Sequence, residues 1–166
     1  ENKPGASSII GSQIVAQAAP DGYTLMMVDS SIYVNPGLRT ELPYNTLKDF
    51  TPIVHMAVAP VILVVHPSVP AQTLAELIAL AKTKPGVITY STPGDGSVHH
   101  LSQELLNGAA GVKMIHVPYV GGAPAMMDAI SGVVDLNINA NRSWGLAVPE
   151  AFNVAPVPGH LNAGTY

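Results

Sequence analysis

Two stretches carry the residue types best suited to holding an anion: STPGDGS at 91–97 and YVGGAPA at 119–125. Each follows an apolar run and leads into a helical pattern, with Ser97 a good N-cap for the first helix and Pro124 a typical first-turn residue for the second. A helix start presents unpaired N–H groups and the positive end of the helix dipole, so both loops favour negative oxygen. Neither loop contains Lys or Arg. That points to a carboxylate held by neutral N–H and hydroxyl donors, because tight phosphate sites usually add Lys, Arg or a metal. Taken alone, each loop also reads as an ordinary strand-to-helix turn in which glycine supplies positive φ.

Catalytic motifs do not assemble. GDGSVH lacks the third glycine of the dinucleotide fingerprint, no phosphate-binding G-x-x-x-x-G-K-[ST] is present, and Ser97 lacks the flanking glycines of a nucleophile elbow. A Ser97–His100 dyad fits on one helical turn, which keeps an α/β hydrolase as the alternative from another class, but no third group presents itself. The histidines at 55, 66, 99, 100, 116 and 160 contain no HExxH pair, and no metal is expected. Adjacent on a helix, His99 and His100 point about 100° apart, so one is expected to pack and the other to be solvated. His116, in a strand, reads as a hydrogen-bonded core histidine. Asp29, Ser30 and Ser31 follow an apolar stretch and read either as a strand-terminating turn or as a group facing a cleft.

The elements that must position these loops follow from the hydrophobic periods. Ile10, Ile14 and Ala18 fall at helical spacing ahead of the turn at Pro20, Asp21 and Gly22, and residues 24–28 form an apolar run expected to be a buried strand. Residues 35–52, with three prolines, read as irregular. Residues 61–65 read as a β-branched strand. Thr73 and Glu76 form a capping box for a helix whose face carries Leu74, Leu77, Ile78 and Ala81. Strands at 87–90, 114–117 and 133–138 then alternate with helices at 98–107 and 124–131. Such β-α-β-α-β alternation predicts a parallel sheet with right-handed crossovers, which sets both glycine loops at the carboxyl edge of the sheet.

Composition bounds the rest. With 166 residues, 48% hydrophobic and 11% charged, the chain can bury a core, and the 15 Gly and 15 Pro imply many loops. A net charge of −4 with seven Lys plus Arg leaves no basic stripe for nucleic acid. The absence of cysteine excludes disulfide and Cys–zinc frameworks without fixing a compartment. The longest apolar stretch, 56–65, is well short of the roughly 20 residues a bilayer span needs, and no export signal is recognisable, so a soluble chain is expected.

The strings ENKPGA, AAPDGYTLMM, LPYNTLKDFTPI, VILVVHPSVPAQTLAELIALAKTKPG, ITYSTPGDGSVHHL and HVPYVGGAPAMMDAISGVVDL occur in this order. Over residues 1–138 they resemble the Bug-type extracytoplasmic solute-binding receptors of tripartite tricarboxylate transporters. The resemblance implies an incomplete α/β fold of the type II periplasmic-binding-protein kind, two lobes with mainly parallel sheets. Residues 1–62 would belong to the first lobe and 63–140 to the second, with 141–166 a candidate return to the first. It implies a non-enzymatic, monomeric, periplasmic receptor without cofactor, which delivers a di-, tri- or aromatic carboxylate to membrane permease subunits. A binding-incompetent fragment is the further alternative. Ligand contacts carried over by position are Thr92, Gly94, Asp95, Gly96 and Ser97 in one loop, Gly121, Gly122 and Ala123 in the other, and Ser30 and Ser31 after the first-lobe strand.

Three departures from the family pattern accompany the likeness. The family's first strand and its glycine-rich loop would lie ahead of Glu1, Asn139 stands where an Asp is common, and WGLAVPE at 144–150 resembles a segment that normally comes much later. Gly122→Val is expected to weaken ligand binding at little cost to folding, provided φ at 122 is negative.

Overall fold

The computed structural model describes residues 1–140; the candidate lobe return at 141–166, WGLAVPE included, lies outside the described residues. A short 3-10 turn, Ala6–Ser8, runs into helix α1 (Ile9–Ala16), and helix α2 (Ser31–Leu38) follows. Strand β1 (Val61–Val65), helix α3 (Leu74–Thr83), strand β2 (Thr89–Thr92), helix α4 (Val98–Ala110), strand β3 (Ile115–Pro118), helix α5 (Gly122–Ile130) and strand β4 (Leu136–Ala140) complete the order. The expected alternation is present, with its strands displaced by one to three residues toward the C-terminus.

The four strands form one mixed sheet in the order β1-β4-β2-β3. β2 pairs in parallel with β3 and with β4, while β1 lies antiparallel on the outer edge of β4. One face packs Leu77 and Ala81 of α3 against Ile88, Tyr90, Leu136 and Ile138. The other packs Ala129 of α5 with Val64 and Val134. The period of two along β1 explains the split, since Val61, Leu63 and Val65 join the first cluster and Ile62 and Val64 the second. From β2 the chain crosses through α4 to β3 on one side, then through α5 to β4 on the other. The topology therefore reverses at β2, and the loops after β2 and β3 leave toward opposite faces, which opens a crevice at their carboxyl ends.

Helix α3 starts as its sequence dictates: the Thr73 side chain accepts the Glu76 N–H, while Glu76 reaches back to accept the Gln72 N–H at 2.7 Å. Helix α2 runs into the stretch read as irregular, its last four residues, 35–38, lying there. Pro36 lies inside it. Proline withholds an N–H from the carbonyl four residues back, and the Ile32 carbonyl accepts from Thr46 Oγ1 at 3.3 Å instead. The start of α2 is capped from outside the helix, the Asp29 carboxylate accepting the Ser31 N–H at 3.1 Å.

The expected strand at 24–28 does not form. That segment carries no strand pairing, and Tyr23, Leu25 and Met27 are exposed, Tyr23 to 91% and Met27 to 85%. A strand exists only where another takes up its N–H and C=O groups, and among the described residues every strand partner lies within 61–140. Met27 and Met127 are likewise surface residues.

Candidate functional site

The loops after β2 and β3 are bonded to each other. The Tyr119 N–H donates to the Thr92 carbonyl and the Gly121 N–H to the Pro93 carbonyl, both at 3.1 Å. A Cβ placed on Gly94 would lie 3.4 Å from the Tyr119 carbonyl oxygen, so the two backbones run in contact. Gly96 takes φ +70° and Gly121 φ +106°, values that L side chains rarely adopt and that turn each chain from strand into helix. Ser97 caps α4 by accepting the His100 N–H, and α5 begins at Gly122 without a side-chain cap. The two loops that lead into these helix starts thus meet at the switch point of the sheet, where helix N–H groups and dipoles favour an anion.

Residues 1–40 add a third wall. Ser7 Oγ donates to the Asp95 carbonyl, and Asn35 Nδ2 donates to the Ser7 carbonyl at 2.9 Å. Ser8 Oγ donates to Asp29 Oδ1 at 3.4 Å, and Leu38 packs against Gly96. Ser30 and Ser31 therefore connect to loop 92–97 through Asp29 and residues 7 and 8. Ser31 and Ser97 are buried, Ser30 and Asp95 are exposed, and Ala123 is exposed on the first turn of α5. Sequence reasoning missed residues 5–8. Ala6, Ser7 and Ser8 all take positive φ (47°, 51° and 70°), which non-glycine residues hold only when the surroundings enforce it. The available signal was the Pro4-Gly5 turn directly ahead of a helical pattern.

Behind loop 92–97 stands a column of rings. Tyr90 stacks on His116 with centroids 4.9 Å apart, and His116 stacks on His100 at 3.8 Å with planes 13° apart. His116 Nδ1 lies 3.2 Å and His100 Nδ1 3.7 Å from Asp95 Oδ1. His116 Nε2 meets Thr92 Oγ1 at 2.7 Å. Burial lowers the His116 pKa, the neighbouring His100 lowers it further, and the Asp95 and Glu104 carboxylates partly oppose both. His99, on the next face of α4, is also held down by burial, with Asp29 opposing; its Nδ1 is buried without a partner. Neither His99 nor His100 is the solvated member of the pair, because α4 lies against the sheet on one side and faces Asp29 on the other.

This arrangement does not activate Ser97. Its Oγ is engaged by the His100 N–H, and His100 Nδ1 accepts the Gly96 N–H at 3.1 Å, so the dyad lacks the side-chain bond that general-base transfer requires. Asp95, His100 and His116 place one ligand atom each within 4.8 Å of one another. The stack opposes a shared metal. A cation about 2.1 Å from both ring nitrogens would sit well outside two nearly parallel ring planes, where no lone pair points.

A family model described as the tripartite tricarboxylate transporter family receptor matches residues 1–150. The chain belongs to this receptor family. BugT of Bordetella pertussis is 35% identical over 140 residues, covering 83% of this chain and 43% of BugT. An R. palustris protein solved with adipate superposes with a TM-score of 0.84 at 33% identity, over 88% of this chain and 49% of that one. The periplasmic binding protein BugD gives 0.79 at 32% identity, over 84% and 47%. MatC from Rhodopseudomonas palustris, with bound malate, gives 0.69 at 29% identity, over 82% and 47%. The chain spans less than half the length of these receptors, and the α/β fold expected from the sequence is theirs.

Gly122 departs from the expectation for its substitution. Its φ is not positive, as supposed, but a Cβ would lie 2.8 Å from Nδ2 of the buried Asn139, which donates to the Gly122 carbonyl at 3.4 Å. In this receptor chain Gly122→Val is therefore expected to cost folding as well as affinity. Crowding a packed site typically costs about 1–3 kcal/mol, and urea unfolding of the variant would reveal it. An unchanged midpoint would show that Asn139 yields freely.

Proposed function

We propose that the chain is part of a periplasmic receptor that captures a small dicarboxylate between two lobes and passes it to membrane permease subunits. Residues 1–62 would contribute to the first lobe and 63–140 form the second. The observation that carries this reading is the contact of loops 92–97 and 119–122 at the reversal of the sheet, with two helix starts and no Lys or Arg between them. The first N–H groups of α5, at Gly122 and Ala123, would form the proposed cradle together with the loop positions Thr92, Gly94, Gly96, Ser97 and Gly121, whose own N–H and hydroxyl groups hold the two loops in shape, and Ser30 and Ser31 would contribute from the first lobe. Asp95 is the exception, an exposed carboxylate at the rim whose charge the His116 ring moderates. Relatives solved with adipate and malate support a dicarboxylate over a larger anion.

The reading requires no covalent chemistry. Closure would be driven by contacts made only in the closed form. Among the described residues no helix is long and apolar enough to cross a membrane, so delivery would rest on docking to partner subunits. Calorimetric titration of the whole protein with adipate and malate, and with their dimethyl esters, tests it. The acids are expected to bind and the esters not, because esterification removes the charge that the amide cradle reads. Esters that bind as well as the acids, or no binding by any compound, would overturn the reading.

A further inference from the structure

The imidazoles of His100 and His116 are chemically different, and the backbone says how. A peptide N–H can only donate, so Gly96 donating to His100 Nδ1 at 3.1 Å requires that nitrogen to be bare, with the His100 proton on Nε2. His116 has the opposite arrangement. Its Nδ1 faces the Asp95 carboxylate, which only accepts, so Nδ1 carries the proton; with burial holding the ring neutral, Nε2 is left to accept from the Thr92 hydroxyl, which also lies 3.2 Å from the Gly94 carbonyl. The pair therefore stands neutral, in two tautomers, stacked at 3.8 Å. Both rings are tied to loop 92–97, His100 through Gly96 and His116 through Thr92 and Asp95.

A proton added at His116 Nε2 needs only the Thr92 hydroxyl to turn toward the Gly94 carbonyl, 3.2 Å away, but one added at His100 cannot leave the loop as it is. On His100 it must enter at Nδ1, where it faces the Gly96 N–H donor to donor. The pair at Nδ1 must then separate, while the new N–H gains Asp95 Oδ1, now 3.7 Å away. His100 is the more open ring, its side chain 22% exposed against 13% for His116. Across the stack, a charge on one ring opposes a second on the other. The remaining ionisable groups around the column are Glu104 on α4 and Tyr90 on β2, bonded to each other at 2.6 Å, and neither touches Gly96. Gly94 and Gly96, both at positive φ, give the loop the freedom to move.

We propose that His100 is a proton-operated latch on loop 92–97: when neutral it holds the Gly96 N–H, and when protonated it releases that N–H and turns to Asp95. The latch stands on the hydrogen-bond pattern alone. Its consequence for ligand rests on the carboxylate-receptor reading. Acidification would add a free amide donor to the cradle and neutralise the carboxylate at its rim, and both changes favour an anion.

Long-range proton–nitrogen NMR of the whole protein between pH 8 and 5 tests the latch without any ligand. At pH 8 His100 is expected as the Nε2–H tautomer and His116 as the Nδ1–H tautomer, and the Gly96 amide resonance is expected to move with the midpoint of the His100 ring. In His100→Asn, whose side-chain oxygen can accept the same N–H without titrating, the Gly96 shift should become independent of pH. An Nδ1–H tautomer for His100 at pH 8, or a Gly96 amide indifferent to its titration in the wild-type protein, would overturn the latch. Calorimetry with adipate at pH 6 and 8 adds the second arm, with affinity expected to rise by about fivefold at the lower pH and to stay flat in His100→Asn. Equal affinities at both pH values would remove the ligand coupling. Absence of adipate binding at either pH would strike the receptor reading while the NMR result still decides the latch.

Discussion

Tyr90→Ala is expected to cost about 3–5 kcal/mol of folding stability, the range for truncating a fully buried aromatic side chain. Tyr90 is 0% exposed and the largest fully buried side chain among the described residues. Its ring packs among Leu77, Ile88, Leu136 and Ile138 and forms the base of the stack under His116. Its hydroxyl donates to Glu104 Oε1 at 2.6 Å, and the same oxygen accepts from Asn107 Nδ2 at 3.0 Å. Alanine would leave a cavity under β2 and deprive Glu104 of its shorter bond. Tyr90→Phe keeps the ring and removes only that bond, for about 1–2 kcal/mol. Urea unfolding of both variants checks the division. An alanine variant within about 1 kcal/mol of wild type would mean that the core closes over the loss.

The contrast between what was readable in the sequence and what was not follows the range of the interactions. The β-α-β-α-β order was legible because apolar runs and glycine loops are local, and handedness then brings the two loops to one edge. The α3 cap was legible because Thr73 and Glu76 act within one turn. Helix α2 was hidden, since Pro36 is tolerated only with Thr46, ten residues on, serving the Ile32 carbonyl. Residues 24–28 misled because apolarity marks a strand without revealing whether a neighbour exists to pair with it. His100 and His116, sixteen positions apart, meet only because β2–β3 register sets His116 opposite Tyr90 and α4 crosses back over both. The positive φ values at residues 6–8 fall on Ala and Ser, with only the Pro4-Gly5 turn ahead of them as a signal.

Strand β4 shows a subtler failure of pattern reading. Residues 136–139, LNIN, alternate apolar and polar, the mark of a strand with one wet face. Both faces are covered. Leu136 and Ile138 lie in the core under α3, and Asn137 and Asn139 are buried beneath α5, where Asn137 Nδ2 donates to Ser91 Oγ at 2.8 Å. Ser91 Oγ in turn lies 3.0 Å from the Ala125 carbonyl and 3.2 Å from that of Leu136. A polar seam thus runs under α5 toward Gly122, joining the proposed cradle to the centre of the sheet. A seam of hydrogen bonds fixes position where apolar packing would tolerate sliding, at the cost that its buried members must stay neutral, and Asn137 Oδ1 is already buried without a partner.

Asn137→Asp puts that requirement to a direct test. The substitution is nearly isosteric, yet it sets a carboxylate at a 0%-exposed position whose one neighbouring side-chain partner is a hydroxyl. Burial disfavours the charged form, so the folded-state pKa of the new Asp should rise well above its ordinary value of about 3.9. A displacement of about three pH units corresponds to about 4 kcal/mol. The sign follows from linkage: the deficit is complete above the raised folded-state pKa, where both states are ionised, and shrinks as pH falls through it toward the unfolded value. Wild type runs the other way. His99 and His116 are held below their ordinary 6.5, so its stability is full above that value and is lost as pH falls through their folded-state pKa values. Urea midpoints for both proteins between pH 8 and 4.5 should therefore converge on the acid side, the wild-type curve falling while the variant's deficit closes. A deficit that stays constant across this range would mean that the seam admits solvent and that Asn137 is not held dry beneath α5.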